Sequence, residues 1–257
     1  MRFMASCLFG LEKPVCDDIA ALGYGKTEVM DGHVLFDAPE SAIAECNVNF
    51  RYAERLFIVL GSFRAASFTE LFDGTASLPW EKYITKNAAF PVKGHCVRSK
   101  LFSVPDCQRI IKKAVVERLK SKYRVSYFEE TAEKYQVVFF ILKDTAYLML
   151  DTTGDALHKR GYRPESNLAP LRETLAAALV TFSRPRSDVI FVDPMCGSGT
   201  IAIEAALIDR HIAPGINRGF AAEEFTFLDR RIFDDAREKA RSLIAPAQRR
   251  IFGSDID

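Results

Sequence analysis

The residues best suited to chemistry lie in one short segment, Asp193-Pro194-Met195-Cys196-Gly197-Ser198-Gly199-Thr200. An apolar run, residues 189–192, precedes it, and an alanine-rich stretch, residues 201–207, follows it. These patterns predict a buried parallel strand and then a helix. The turn between them would lie at the carboxyl end of the strand, which is where open α/β sheets bind their ligands.

The residue types in this turn favour a cationic ligand. Gly197 and Gly199 let a ligand approach the backbone, and the amides that open the helix can donate hydrogen bonds. Asp193 places a carboxylate at the strand end, which weighs against a bound pyrophosphate. The dinucleotide pattern G-x-G-x-x-G also fails, because Ala202 stands where its third glycine would be.

A second acid follows about fifty residues later. Residues 250–257 read as the next strand, and Asp255 lies near its end. In a nucleoside-binding α/β unit the acid after the second strand hydrogen-bonds the ribose hydroxyls, and we expect this of Asp255. Asp257 is expected to cap the following helix. A glycine turn alone could serve packing, whereas the turn and the second acid together favour a ligand site.

A nucleophilic hydrolase that uses Cys196 or Ser198 is a poor alternative. The pattern G-x-S-x-G is not met, because Cys196 stands two residues before Ser198 and Thr200 stands two residues after it. No histidine with an acid partner is evident for either nucleophile.

The composition is that of an ordinary globular protein, with 48% apolar and 27% charged residues and a net charge of +1. No apolar run approaches the roughly 18 residues of a membrane helix. The first residues do not resemble a signal peptide, so we expect a cytoplasmic protein. The six cysteines form no C-x-x-C pair or zinc-type spacing, which predicts reduced, mostly buried thiols and no metal site.

The first 150 residues predict two small α+β units. The first has a strand, a helix, a hairpin around Asp31-Gly32, a second helix and a strand at residues 55–61. The second has a helix, a strand at residues 88–97, a long helix at residues 106–122, and strands at residues 136–142 and 146–150. A charge-rich linker begins at Asp151, which indicates a domain boundary.

Positive charge is concentrated around the long helix and in the linker. The cations of interest are Lys93, Arg98, Lys100, Arg109, Lys112, Lys113, Arg160 and Arg163. On charge alone, the helix run is either a solvated face or a phosphate-binding surface. The three cations around Tyr162 in the linker, Lys159, Arg160 and Arg163, could likewise contact phosphate or cover a loop.

The chain as a whole resembles a known family. Residues 193–200 resemble the S-adenosylmethionine loop of class I methyltransferases that modify exocyclic amines of nucleobases. Residues 150–163, 169–178 and 213–220 resemble the bacterial THUMP-domain guanine-N2 methyltransferases of large-subunit ribosomal RNA. The resemblance is strong from Leu150 onward, and in the first 150 residues it lies mainly in the order of elements.

This resemblance implies α+β and α/β domains in a fixed order. A ferredoxin-like segment would span residues 1–60, a THUMP RNA-binding domain residues 61–155, and the start of a Rossmann-like methyltransferase domain residues 156–257. The cofactor would be S-adenosylmethionine, held by residues 193–200 and Asp255. The partner would be 23S ribosomal RNA, methylated at a guanine N2 and contacted by the cations named above.

One part of the family pattern is not found. The catalytic Asn-Pro-Pro-Tyr-type tetrapeptide is absent from the sequence, and only two strands of the methyltransferase sheet are predicted. We therefore expect a truncated chain that is inactive by itself, and no catalytic residue is assigned. An RNA-binding module without catalysis and a methyltransferase of another RNA exocyclic amine remain the alternatives.

Overall fold

The structure is a computed structural model that describes residues 1–162, 171–184, 186 and 189–256. Its helices are α1 (Glu12–Ala21), α2 (Ala42–Asn49), α3 (Phe68–Ser77), α4 (Val104–Tyr123), α5 (Glu173–Phe182), α6 (Thr200–Asp209) and α7 (Arg231–Ser242). Its strands are β1 (Arg2–Cys7), β2 (Thr27–Met30), β3 (His33–Asp37), β4 (Ala53–Arg64), β5 (Val92–Val97), β6 (Val137–Leu142), β7 (Thr145–Asp151), β8 (Phe191–Asp193) and β9 (Ile251–Gly253).

The strands form two sheets. Seven of them make one mixed sheet in the order β2-β3-β1-β4-β7-β6-β5, and β8 pairs with β9 separately. The chain divides into two compact units. Unit 1 comprises Met1–Phe3, Phe57–Thr152 and Ala221–Asp229, and unit 2 comprises Met4–Leu56, Thr153–Phe220 and Arg230–Asp257.

The predicted N-terminal hairpin is confirmed. Strands β2 and β3 are antiparallel, and Met30 lies opposite His33, so Asp31 and Gly32 form a two-residue turn. Gly32 has a φ of +71°, a conformation that glycine adopts without steric cost. This turn fixes the register that buries Val34, Leu35 and Phe36 in unit 2.

The long helix α4 is also confirmed, two residues earlier and one residue later than predicted. Its buried side chains, Cys107, Ile111, Ala114, Val115 and Leu119, recur at helical spacing. A proline in the first turn suits the helix start, because its missing N–H would have no intrahelical partner there. The helix ends at Tyr123, and the C-cap residue Arg124 adopts the left-handed conformation with φ +53°.

Strands β5, β6 and β7 form one edge of the sheet in unit 1. Strand β5 is parallel to β6, and β6 is antiparallel to β7. Leu142 lies opposite Thr145, so Lys143 and Asp144 form a two-residue turn with φ values of +49° and +62°. Positive φ at both central residues gives the turn whose twist matches that of paired strands.

Unit 1 also contains a short segment from far along the chain, which the sequence did not predict. Residues 221–229 bring Phe225 onto the ring of Tyr135, with 4.7 Å between ring centroids. The Tyr135 hydroxyl accepts a 3.0 Å hydrogen bond from the amide of Thr226. The segment is thus attached by both apolar and polar contacts.

In unit 2, α2 packs on α7 and α5 packs on α6. Strand β8 is parallel to β9, as expected, but the prediction that it is buried was wrong. Val192 is 58% exposed and Phe252, its partner in register, is 53% exposed. Helix α6 covers one side of the β8–β9 pair, and none of the described residues buries the other side.

All six cysteines are free thiols, as predicted. Cys46 and Cys107 are buried, whereas the other four are partly exposed, so the expectation of mostly buried thiols holds for only two. Within the described residues, no helix is both long enough and apolar enough to cross a membrane.

Candidate functional site

The candidate ligand loop, residues 193–200, lies where the sequence placed it. It leaves the carboxyl end of β8 and enters α6 at Thr200. Strands β8 and β9 run parallel, with Asp193 opposite Gly253, so the chain segments after both strands emerge at one edge. Asp193 and Asp255 are thereby brought to the same edge of the sheet.

Backbone hydrogen bonds attach the loop to the end of β9. The amide of Ser254 donates to the Asp193 carbonyl at 3.0 Å, and the amide of Cys196 donates to the Ser254 carbonyl at 3.0 Å. The side chain of Cys196 lies over Gly253, where an added Cβ would stand 3.1 Å from the Cys196 sulfur. A larger residue at position 253 would therefore push the loop away from the strand.

The two glycines of the loop serve its conformation. Gly197 and Gly199 have φ values of +48° and +76°, which other residues adopt only with strain. A Cβ added at Gly197 would meet no atom within 4 Å in the described structure. The space beside this backbone is open, which is what a ligand that approaches the loop requires.

Asp193 has an unused acceptor. Its Oδ1 accepts a 3.4 Å contact from the amide of Met195. Its Oδ2 is buried and has no hydrogen-bond partner in the described part of the chain. A buried carboxylate oxygen without a donor is costly, so this atom fits a ligand that brings a hydrogen-bond donor or a positive charge.

Asp255 contacts the loop in a way that the sequence did not predict. Its Oδ2 accepts a 2.6 Å hydrogen bond from the amide of Gly197, and its Oδ1 accepts one of 2.7 Å from Ile256. The carboxylate thus holds the glycine turn beside β9. Its expected contact with ribose hydroxyls stays a prediction.

Helix α6, which carries the loop, is anchored by a buried acid. Glu204 is fully buried, and its Oε1 accepts a 3.2 Å hydrogen bond from the Tyr162 hydroxyl. Arg160 Nε lies 3.5 Å from Oε1, and Arg51 Nη1 lies 3.5 Å from Oε2. These contacts join α6 to the segment after α2 and to the linker within unit 2.

A second carboxylate, Asp18, belongs to the same charge cluster. Its Oδ2 accepts hydrogen bonds from the amides of Arg51, at 2.7 Å, and Tyr52, at 3.3 Å. Burial raises the pKa of Asp18 to about 6, although these bonds and the two arginines oppose the shift. Burial also lowers the pKa of the Arg160 guanidinium, which Glu204 opposes. The cluster formally contains two cations and two anions.

Sequence reasoning missed Glu204, and it also missed Asp209 on the same helix. Asp209 accepts hydrogen bonds from the amides of Gln248, at 2.8 Å, and Arg249, at 3.1 Å, and pairs with the Arg249 guanidinium at 2.7 Å. It therefore holds the segment that enters β9. The signal for Glu204 was available, since it is a lone acid inside the apolar stretch Ile201-Ala202-Ile203-Glu204-Ala205-Ala206-Leu207.

The placement of Arg160 argues against the RNA contact expected of it. The residue is 4% exposed, and its guanidinium donates to the carbonyls of Phe50, Arg51 and Leu157. A side chain with these contacts has no surface left for a phosphate. The expectation for Arg163 falls outside the described residues, as does the helix cap expected of Asp257.

The other expected RNA contacts lie in unit 1 and are accessible to different degrees. Lys93, Arg98, Lys100, Arg109 and Lys113 are exposed, whereas Lys112 is partly buried. Arg109, Lys112 and Lys113 share an open groove of about 530 Å³ with Pro91 and Val92 at the start of β5. The structure thus brings together three of these cations on α4.

No group of three or more acidic, histidine or cysteine side chains capable of holding a metal ion occurs among the residues that the structure describes.

Comparison with known proteins gives a consistent family. Three family models match successive parts of the chain: an RlmL ferredoxin-like domain at residues 2–57, a THUMP domain at residues 65–151, and an RMKL-like methyltransferase domain at residues 160–257. The solved structure of "SMU.472, a putative methyltransferase complexed with SAH" is 40% identical, with a TM-score of 0.92 over all of this chain and 68% of that one. The chain belongs to the RMKL-like methyltransferase family.

Two curated members of similar sequence carry names that mention RNA. The "Putative RNA methyltransferase YpsC" of Bacillus subtilis is 45% identical over 99% of this chain and 66% of its own length. The "Ribosomal RNA large subunit methyltransferase K/L" of Aliivibrio fischeri is 31% identical over all of this chain and 37% of its own length. The chain therefore spans less than two thirds of either relative. The expected ferredoxin-like, THUMP and methyltransferase domains are confirmed.

Proposed function

We propose that this chain is part of an S-adenosylmethionine-dependent RNA methyltransferase that modifies the N2 amine of a guanine in 23S ribosomal RNA. The observation that carries the proposal is the loop at residues 193–200, which leaves a parallel strand with a buried, unpartnered Asp193 oxygen beside open backbone at Gly197. The naming of YpsC and the K/L enzyme supports RNA as the substrate class.

The proposed cofactor site comprises Asp193, Pro194, Met195, Cys196, Gly197, Ser198, Gly199, Thr200 and Asp255. The binding of SAH by SMU.472 supports the assignment, because SAH is the product that S-adenosylmethionine leaves after methyl transfer. Asp193 would receive a donor or a positive charge of the cofactor at its buried Oδ2. Asp255 would bind ribose while its other contact keeps the loop amide of Gly197 in place.

Bound S-adenosylmethionine supplies an electrophilic methyl group on a sulfonium, so the protein's principal task is to align the acceptor nitrogen with it. Residues of this chain would perform the cofactor half of that task. The loop conformation at Gly197 and Gly199, together with the attachment of Cys196 to β9, would hold the cofactor in one orientation.

The proposed RNA face comprises Lys93, Arg98, Lys100, Arg109, Lys112 and Lys113. These residues lie within the part of the chain that matches the THUMP model, and five of them are exposed. Contacts between lysine or arginine and phosphate make binding strongly salt-dependent and carry little sequence information. We further propose that the three domains span residues 1–60, 61–155 and 156–257.

The test is methyl transfer from labelled S-adenosylmethionine to ribosomal RNA that lacks its modifications. The assay uses the protein encoded by the gene alongside the 257-residue chain, and the product nucleosides are identified by mass spectrometry. Label in N2-methylguanosine of 23S RNA is the expected result. Label in another exocyclic amine would overturn the guanine assignment, and RNA binding without any label would favour the module without catalysis.

A further inference from the structure

The cations of the proposed RNA face differ in what they already contact. Arg109 pairs with Asp106, and Lys112 both pairs with Glu130 and lies 3.5 Å from the centre of the Phe90 ring. In contrast, the side chains of Lys93, Arg98, Lys100 and Lys113 make no ion pair with any residue that the structure describes. Two of these four, Arg98 and Lys100, lie together in the loop that follows β5, whereas Lys93 lies near the start of β5 and Lys113 lies on α4.

That loop, residues 98–103 between β5 and α4, is held in one conformation by the neighbouring β6–β7 turn. The Lys100 amide donates to Asp144 Oδ1 at 2.7 Å, and the Asp144 amide donates to Ser99 Oγ at 3.1 Å. Ser99 Oγ in turn donates to the Val97 carbonyl at 2.9 Å. The chain reverses at Arg98, whose φ is +47°. These bonds order the loop before any ligand arrives.

An aromatic ring projects from this ordered loop into solvent. Phe102 is 82% exposed, although Leu101 before it is only 6% exposed and Ser103 after it is the N-cap of α4. Its ring contacts no other ring and no cation in the described part of the chain. The exposed Phe102 side chain contributes no burial free energy to the fold. Because the backbone is held on both sides of Phe102, its ring nevertheless lies at a defined position on the surface.

The combination of a free ring and free cations is the chemistry of single-stranded nucleic-acid binding. Bases stack on aromatic rings, while neighbouring lysine and arginine side chains contact the phosphates between them. Unpaired RNA bases are available for such stacking, whereas those inside a duplex are not. Phe102 lies between Lys100 and the first turn of α4, with Arg98 four residues before it.

We propose that Phe102 stacks on an unpaired base of the RNA substrate, and that Arg98 and Lys100 contact the adjoining phosphates. This inference rests on the proposed RNA function and assigns its single-strand contact to the β5–α4 loop. Lys112 on α4 would then have a smaller role, because it is partly buried and its charge pairs with Glu130.

The test measures binding of the 257-residue chain to a short single-stranded RNA that carries 2-aminopurine, whose fluorescence falls when the base stacks. We expect wild-type protein to quench the probe, and Phe102→Ala to weaken binding by about 5- to 150-fold and abolish the quenching. Phe102→Trp should retain both. Arg98→Ala and Lys100→Ala should each lower the slope of log K against log salt by about 0.7.

Phe9 provides a matched control, because it is also 82% exposed but lies in unit 2, near Glu12 rather than beside free cations. Phe9→Ala should leave binding unchanged. Equal losses for Phe9→Ala and Phe102→Ala, or tight binding by Phe102→Ala with quenching intact, would overturn the inference. A wild-type chain that fails to bind single-stranded RNA would also overturn it, while methylation of ribosomal RNA by the gene's product would leave the proposed function standing.

Discussion

Replacement of Glu204 by glutamine tests whether a buried charge holds helix α6. Its two carboxylate oxygens each lie 3.5 Å from an arginine nitrogen. At an effective dielectric constant of 20, this distance corresponds to about 5 kcal/mol of attraction per contact. The cost of burying the carboxylate, several kcal/mol, opposes this sum. Glutamine keeps an acceptor for Tyr162 but leaves Arg51 and Arg160 without that partner.

We therefore expect Glu204→Gln to lower the free energy of unfolding by about 3–5 kcal/mol, the range for one partner removed from a buried pair. The assay is urea denaturation near neutral pH, followed by circular dichroism. Hydrogen exchange of the peptide that contains residues 193–200 should also accelerate, because Glu204 lies one turn beyond the loop. This second measurement separates an effect on the loop from general destabilisation.

The control is Asp17→Asn, which removes an ion pair with Lys13 whose side chains are 60% and 80% exposed. Solvent screens such a pair, so the unfolding midpoint should hardly move. A Glu204→Gln protein as stable as the wild type, with unchanged exchange in the loop, would refute the reasoning. It would mean that the charges of the two arginines are compensated by Asp18 or by solvation rather than by Glu204.

Three further predictions concern other parts of the chain. In the wild type, the raised pKa of Asp18, about 6, lets the folded state bind more protons than the unfolded state between about pH 4 and pH 6, so the free energy of unfolding should fall by up to about 3 kcal/mol as pH rises across this range. Asp18→Asn should remove this fall, which urea titrations of both proteins between about pH 4 and pH 6 would measure. Gly94→Ala should destabilise unit 1 by at least about 2 kcal/mol in urea denaturation, because the new Cβ would lie 2.1 Å from the Phe139 carbonyl oxygen; Gly25→Ala, where no atom lies within 4 Å, should have little effect. Cys196→Ala should leave methyl transfer by the gene's product within about tenfold of wild type, since the thiol contacts Gly253; a loss beyond about a hundredfold would indicate a direct role in the reaction.

Local patterns predicted the elements that local interactions decide. The Asp31-Gly32 turn, helix α4 and the loop after β8 were recognisable because turn chemistry, helical periodicity and a short motif act over a few residues. The resemblance added the order of the three domains, which composition alone did not reveal.

Burial and pairing were less predictable, because they depend on residues far apart in the chain. Arg160 and Lys100 are both cations in loops, yet one is enclosed by carbonyls and Glu204 while the other is free of ion pairs in the described structure. Lys112 is occupied by Glu130, eighteen residues away. The strand β8 is apolar like a buried strand, but Val192 is largely exposed because only one side of the pair is covered by described residues.

Three carboxylates of unit 2, those of Glu204, Asp209 and Asp255, hold the elements that flank the loop at residues 193–200. Glu204 fixes the first half of α6 and Asp209 fixes its end to the segment that enters β9. Asp255, at the other end of β9, then returns a hydrogen bond to the Gly197 amide. The contacts of Asp209 and Asp255 close a ring through α6, β9 and the loop, and Glu204 attaches α6 to the rest of unit 2. A change at Glu204 or Asp209 should therefore alter the proposed cofactor site, although neither residue is part of that site. Cofactor affinity should thus depend on acids that a search for ligand-contacting residues would overlook.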